Sequence, residues 1–316
     1  MLRGIRFTLL TLRAHFNVYL RKESKTASLF LESVWKITEV SLGSIFYLTC
    51  FAIHMSPSVV ADLHSHTTAS DGTLTIEEIP TAAKEVGVNW VAVTDHDRIH
   101  SGLDDPITTI DGINIIRGIE LRVQTDSQRI DLLGYHVEPT EELTSEIARL
   151  QENRINRAQK IIACVEAELG VSLDIDPSSG IGRPHIATAI DESDAPYGYK
   201  EAFEELIGNE CDCYFAREIT DVDEGIRLLK DACSVVGLAH PLRYDDPEAA
   251  LAVTDKLDAV ERYYPYGTEV NTSIVDRAIE RNDLLVTGGS DAHNKRLGQA
   301  GLSKSQFEEF KTTIQG

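Results

Sequence analysis

Short apolar runs recur from residue 59 onward. They are Val59-Val60-Ala61, Trp90-Val91-Ala92-Val93-Thr94, Ile113-Asn114-Ile115-Ile116, Ser234-Val235-Val236-Gly237-Leu238-Ala239 and Leu284-Leu285-Val286-Thr287. Runs this short predict buried strands rather than helices. Thr75 to Glu85 instead places Ile76, Ile79, Ala82, Ala83 and Val86 at helical spacing. Thr75 and Glu78 stand in capping-box positions there, and Gly87 supplies the stop. Glu141 to Leu169 carries Leu143, Ile147, Leu150, Ile155, Ala158, Ile162, Val165 and Leu169 on one helical face, ended by Gly170. Val222 to Ala232 reads as a further helix before the fourth strand. The order strand, helix, strand predicts parallel pairing with right-handed crossovers. From about 139 to 220 the strands pause, which predicts a mainly helical insertion between barrel parts at 55–138 and 221–316. That insertion either packs on the barrel or caps its site as a lid does.

Each strand ends in the same chemistry. His64 and His66 follow the first, Asp95-His96-Asp97 the second and Glu120 the third, while His240 closes the fourth and Asp291 and His293 the fifth. In a strand, residues i and i+2 share a face, so His64 and His66 can close on one cation. Parallel α/β barrels build their sites at the carboxyl ends of several strands. Imidazole and carboxylate donors together suit Zn²⁺, Mn²⁺ or Fe²⁺. No cysteine enters these motifs, which disfavours a purely structural zinc site.

The stretches D-L-H-S-H-T-T-A-S-D-G (62–72), T-D-H-D (94–97), A-H-P (239–241) and G-S-D-A-H (289–293), with Glu120 in G-I-E, resemble the PHP (polymerase and histidinol phosphatase) family. The resemblance implies an α/β fold, a distorted (β/α)7 TIM-like barrel, and a metal-dependent phosphoesterase. S-D-G at 70–72, R-P-H at 183–185 and A-H-P-L-R-Y at 239–244 are most similar to the branch of nucleoside 3′,5′-bisphosphate phosphatases and 5′-to-3′ exoribonucleases. It implies two or three divalent ions, with Mn²⁺ favoured over Zn²⁺ or Fe²⁺. His64, His66, Glu120 and Asp291 would hold the first ion. Glu120 would bridge to a second, completed by His240, and Asp71, His96 and His293 would hold the third. Many relatives have a histidine where this chain has Asp131. Asp131 either replaces it as a ligand or leaves that ion weaker or absent. Clustered cations would lower the pKa of a bridging water and neutralise charge on the leaving oxygen. His240 or His185 would protonate the leaving group, and Arg183 and Arg243 would contact phosphate. Asp62 and Asp95 would orient the imidazoles. Tyr263, Tyr264 and Tyr266 either stack on a base or pack in the core. The alternatives to a nucleotide phosphoesterase are a histidinol-phosphate phosphatase and a non-catalytic interaction module.

Charge narrows the substrate. Residues 1–54 hold seven Lys/Arg and three Glu, so the remaining 262 residues carry 23 basic and 48 acidic side chains. Such self-repulsion suits a cytoplasm of high ionic strength, as in salt-adapted organisms. It also disfavours long duplexes, whose affinity comes from basic stripes. A small phosphorylated substrate, a nucleotide or short oligonucleotide, is expected. The five cysteines (Cys50, Cys164, Cys211, Cys213 and Cys233) show no metal or redox spacing and read as reduced thiols in a cytosol. The basic and apolar segment 1–54 reads as an upstream start, with the working protein beginning at Met55, or as a membrane-associating extension.

Overall fold

The computed structural model describes residues 58–178 and 180–315. The expectations for residues 1–54 and for a start at Met55 lie outside the described residues. No described helix is long and apolar enough to cross a membrane.

Strand β1 (Val59–Ser65) leads through helix α1 (Ile79–Val86) to β2 (Trp90–Val93), and the two strands pair in parallel. Helix α1 starts later than its apolar spacing predicts, with Pro80 in its first turn and Gly87 at φ 77° as its stop. Thr75 and Glu78 do meet, Thr75 N donating to Glu78 Oε2 at 3.2 Å, but in the turn ahead of the helix. Strand β4 (Ile113–Gln124) adds in parallel to β2, with the short β3 (Ile107–Ile110) antiparallel on its flank.

The parallel order then breaks. Strand β5 (Arg129–Val137) pairs antiparallel with β4 and with β7 (Cys233–Leu238). Only residues 125–128 separate β4 from β5. A link that short makes a hairpin, because a parallel return needs about a dozen residues or more. Strands β8 (Ala259–Tyr263) and β9 (Leu285–Gly288) restore parallel pairing. Ser65 bridges Ala292 just beyond β9, and β10 (Leu302–Ser303) pairs antiparallel with β1, so the wall nearly closes. The two-residue β6 (Thr220–Asp221) lies on β4. Strands such as β2 are buried on both faces, which is why they read as unbroken apolar runs.

Helix α2 spans Glu141–Leu169, capped by Thr140 at one end and by Gly170 at φ 67° at the other. Its first half sends Leu143 and Leu150 into the barrel's apolar cluster, beside Leu228 and Leu229 of α5 (Val222–Ala232). Its second half packs Ala158, Ile161 and Val165 against α3 (Arg183–Asp191) and the segment after α4 (Tyr199–Glu205), in a separate cluster with Ile186, Ile190, Leu206 and Ile207. Helices α6 (Pro247–Ala252), α7 (Ser273–Asn282) and α8 (Lys304–Gln315) complete the described chain, Phe307 and Phe310 of α8 joining Leu63 and Ala92 in one apolar cluster.

One expectation about cysteines is corrected. Cys164 on α2 and Cys213 form a disulfide, with Cα atoms 5.5 Å apart. Their separation of 49 residues follows no spacing rule, because the fold of the insertion brings them together. Cys211 and Cys233 are free thiols, and burial with the neighbouring Asp258 carboxylate pushes Cys233 up to about 12.

Candidate metal centre

The residues at the strand ends meet at one rim of the barrel, where His96, Glu120, Asp131, His240, Asp291 and His293 line a cavity of about 290 Å³. His64 Nε2 and His66 Nε2 stand 3.2 Å apart, as strand alternation predicts. Asp291 Oδ1 lies 3.1 Å from His66 Nε2 and 3.5 Å from His64 Nε2. Glu120 is the hub. Its Oε1 is 3.4 Å from His64 Nε2 and 3.1 Å from His240 Nε2. Its Oε2 is 3.4 Å from His66 Nε2 and 2.7 Å from His96 Nδ1. Asp71 Oδ1 approaches His293 Nε2 at 3.3 Å, and Asp71 Oδ2 approaches His96 Nε2 at 3.8 Å. Asp131 Oδ2 is 3.7 Å from His240 Nε2. Strand β5 runs opposite to its neighbours, so a residue near its start reaches the rim that the parallel strands reach at their ends.

Three donor groups result: His64, His66 and Asp291; His66, Asp71, His96 and His293; and Glu120, Asp131 and His240. Donors about 2.1 Å from a tetrahedral ion stand roughly 3.4 Å apart, the separation that recurs here. Buried polar atoms rarely lack partners. Yet His66 Nδ1 is buried without a hydrogen bond. The donor set therefore fits divalent cations.

Electrostatics agree. Burial opposes protonation of His64, but the carboxylates of Glu261, Glu120 and Asp291 hold it well above the ordinary imidazole range. Burial also works against His293, and Asp71 and Asp291 nevertheless push it up to about 9. Burial alone would raise Glu120; His96, His64 and the hydrogen bond from His240 hold it well below the usual carboxylate range. The carboxylates supply the negative charge of the cluster, which is the field a cation site needs.

The backbone is strained at the same rim. His240, Asp291 and Asp97 have positive φ, at 29°, 50° and 49°. Such values are uncommon outside glycine and collect at functional sites. Gly289 is needed beside them, since a Cβ there would meet the backbone N of His64 at 2.3 Å.

Asp62 and Asp95 act differently from expectation. Neither touches an imidazole. Asp62 accepts from Ser290 N at 2.8 Å, Ser290 Oγ at 2.6 Å and Gly298 N at 2.7 Å. Asp95 accepts from Thr67 N at 2.8 Å, Thr67 Oγ1 at 2.7 Å and Ser70 Oγ at 2.6 Å. They tie down the loops that carry the donors. Orientation of His64 falls to Glu261 on β8, which stands 3.2 Å from His64 Nδ1 and accepts from His240 N at 2.7 Å. Glu261 went unnoticed in the sequence, although a carboxylate near the end of an apolar strand was the available signal. Arg122 was missed as well. It grips Asp131 through both oxygens, at 2.6 and 2.7 Å, from the directly opposed position on β4.

Arg243 lines the cavity and donates to Tyr264 Oη at 2.8 Å and Asp291 Oδ2 at 3.1 Å. Tyr264 Oη donates to Asp291 Oδ2 at 2.8 Å, so its hydroxyl serves the donor cluster. Tyr266 Oη accepts from Leu242 N at 3.2 Å, and Tyr263 Oη accepts from Gln306 Nε2 at 2.6 Å. Arg183 and His185 are not among the cavity's lining residues. Arg183 donates to Ile207 O at 3.2 Å and Asn209 Oδ1 at 3.0 Å, and His185 Nδ1 accepts from Gly182 N at 3.1 Å, capping α3.

A mainly parallel barrel whose rim gathers imidazoles and carboxylates into cation-sized groups defines a candidate metal centre. The PHP domain profile matches residues 62–273. The chain belongs to the PHP domain family and is a hydrolase acting on phosphoric ester bonds. It is 28% identical over 197 residues to the 5′-3′ exoribonuclease Rnm of Escherichia coli (strain K12), covering 60% of this chain and 67% of that one. It is 25% identical over 252 residues to the phosphoribosyl 1,2-cyclic phosphate 1,2-diphosphodiesterase of Eggerthella lenta, covering 75% of this chain and 95% of that one. With the 3′,5′-nucleoside bisphosphate phosphatase of Chromobacterium violaceum the identity is 26% over 193 residues, 58% of this chain and 67% of the other. Among solved structures, a Bifidobacterium adolescentis protein assigned to the metal-dependent phosphoesterases aligns with a TM-score of 0.66 at 24% identity, over 81% of this chain and 97% of that chain.

Proposed function

We propose that this chain hydrolyses phosphate esters of nucleotides, nucleoside 3′,5′-bisphosphates or short 5′-phosphorylated oligonucleotides, at a cluster of two or three divalent cations. The observation that carries this reading is Glu120, whose carboxylate reaches His64, His66, His96 and His240 at once. His64, His66 and Asp291, with Glu120 beside them, would hold one ion; His66, Asp71, His96 and His293 would donate to another; and Glu120, Asp131 and His240 would complete a third. Mixed imidazole and carboxylate donors suit Mn²⁺, Zn²⁺ or Fe²⁺, and we take Mn²⁺ as the ion on the family resemblance. When bound, the cations supply a water of lowered pKa and neutralise charge on the phosphoryl oxygens.

The remaining chemistry belongs to side chains. Arg243, half-exposed to the cavity, offers its guanidinium fork to a non-bridging phosphate oxygen. Tyr264, held protonated by burial and by the Asp291 carboxylate, keeps Asp291 turned inward. His240 serves as a ligand beside Glu120, and His185 as a structural cap.

A second reading, hydrolysis of a cyclic phosphate diester, is favoured by the match over 95% of the Eggerthella lenta enzyme. The test is turnover by the purified chain with Mn²⁺ in high salt. Its panel contains a nucleoside 3′,5′-bisphosphate, a 5′-phosphorylated dinucleotide, a ribose cyclic phosphate and histidinol phosphate. Release from the first two is expected. Turnover of the cyclic ester or of histidinol phosphate alone would overturn the substrate assignment.

A further inference from the structure

Residues 206–219, between α4 and β6, form neither helix nor strand, yet they are pinned along their length. Cys213 is bonded covalently to Cys164 of α2. Two residues on, Phe215 O accepts from Arg157 Nε at 2.6 Å. Arg217 Nη1 then donates to Asp97 Oδ2 at 2.7 Å, and Glu218 N to Asn153 Oδ1 at 3.1 Å. Asp97 N in turn donates to the backbone O of Glu120 at 2.8 Å. The sulfur bridge thus stands four residues from an ion pair whose acidic partner is bonded to the hub of the donor cluster.

Arg217 is held there against its own solvation. Its side chain is only 10% exposed, and its Nη2 is buried without a hydrogen bond. Burial pushes it down to about 10 in spite of Asp97. A guanidinium with an unpaired buried donor gains by turning out to water, so the chain must keep it in. Cys213 is the covalent hold nearest to it.

We propose that the Cys164–Cys213 bond is a reversible thiol–disulfide clasp. Closed, it fastens the insertion to the barrel beside the donor cluster; opened by a dithiol reductant, it releases Arg217 from Asp97 and loosens the insertion. Cys164 is half-buried and Cys213 fully buried, so attack falls on Cys164. Glu168, exposed one turn further along α2, stands with Oε2 3.5 Å from Cys213 Sγ. A disulfide sulfur has no proton to give, whereas a Cys213 thiol finds that acceptor already in place. A thiolate of the reductant attacks Cys164 Sγ, the S–S bond breaks, and Cys213 Sγ leaves with the electron pair and takes up a proton. The second thiolate of the reductant then closes its own disulfide and frees Cys164 as a thiol. Two electrons and two protons pass from the dithiol to the protein.

The full chain, oxidised and after dithiothreitol under native conditions, tests the clasp. Alkylation after a denaturing quench should label two more cysteines in the reduced chain. A disulfide-free protease should then cut within 206–219 about tenfold faster or more, because cleavage tracks the open population, while the barrel fragment persists. Cys164→Ser should be cut at the reduced rate in both states. Glu168→Ala should need about threefold more dithiol for half-reduction, the loss of one hydrogen bond from the thiol form. With Mn²⁺ and a phosphate ester, kcat/KM should fall on reduction and recover on reoxidation, an arm that rests on the phosphoesterase reading above. A bond that resists native dithiol, cutting that is no faster or that spreads through the barrel, a half-reduction point unmoved in Glu168→Ala, or turnover indifferent to reduction overturns the clasp. Turnover of no ester in either state strikes the phosphoesterase reading instead, and labelling and proteolysis then decide the clasp.

Discussion

Glu261 holds two histidines of the rim from beneath, the ring of His64 and the backbone N–H of His240. Carboxylates placed behind ligating imidazoles typically contribute about 10–100-fold in metal affinity. Glu261→Gln should weaken Mn²⁺ binding by about that factor while leaving the fold intact. Calorimetric titration checks it, and unchanged affinity would remove Glu261 from the site. The donors themselves were readable because few residue types bind hard cations, and here they stood at strand ends. Glu261 was not, because A-V-E-R-Y carries no spacing that separates a support from a surface residue. Arg122 escaped for a related reason. Only strand register sets it opposite Asp131.

At the scale of elements, Asp97 fastens the insertion to the barrel. It is fully buried, it accepts from Arg154 Nη2 and from Arg217 Nη1 at 2.7 Å, and its carbonyl oxygen accepts from Gln151 Nε2 at 2.8 Å. Removing one partner of a buried ion pair typically costs about 3–5 kcal/mol. Asp97→Ala should lose stability of that order, read from the urea midpoint at constant slope. A change below about 1 kcal/mol, the level of an exposed pair, would mean that solvent screens the cluster. Helix α2 was legible to both ends from a long apolar stripe stopped by Gly170, and the structure adds Thr140 as its N-cap. The antiparallel β5 was less so, although four residues between β4 and β5 already forbid a crossover. The Cys164–Cys213 pair was invisible, because pairing across 49 residues depends on how three helices pack.

For the whole molecule, the excess of acidic side chains outside residues 1–54 sets a dependence on salt. Like charges spaced over a surface repel less as the screening length falls, from about 30 Å at 0.01 M to about 3 Å at 1 M. We therefore propose adaptation to high ionic strength. The thermal midpoint should rise steadily with KCl, and dialysis into dilute buffer should unfold the chain. An unchanged midpoint across that range would count against it. The barrel and its rim were legible from the sequence because motif and strand recur together, and the division of labour in the insertion was not.

The central claim is that Glu120 ties three donor groups into one cation cluster. The most direct measurement is Mn²⁺ bound per chain after removal of free metal, for the wild type and for Glu120→Gln. Two or three ions in the wild type, and at most one in the variant, are predicted. A wild type without bound cation, or a variant with undiminished content, would contradict the account.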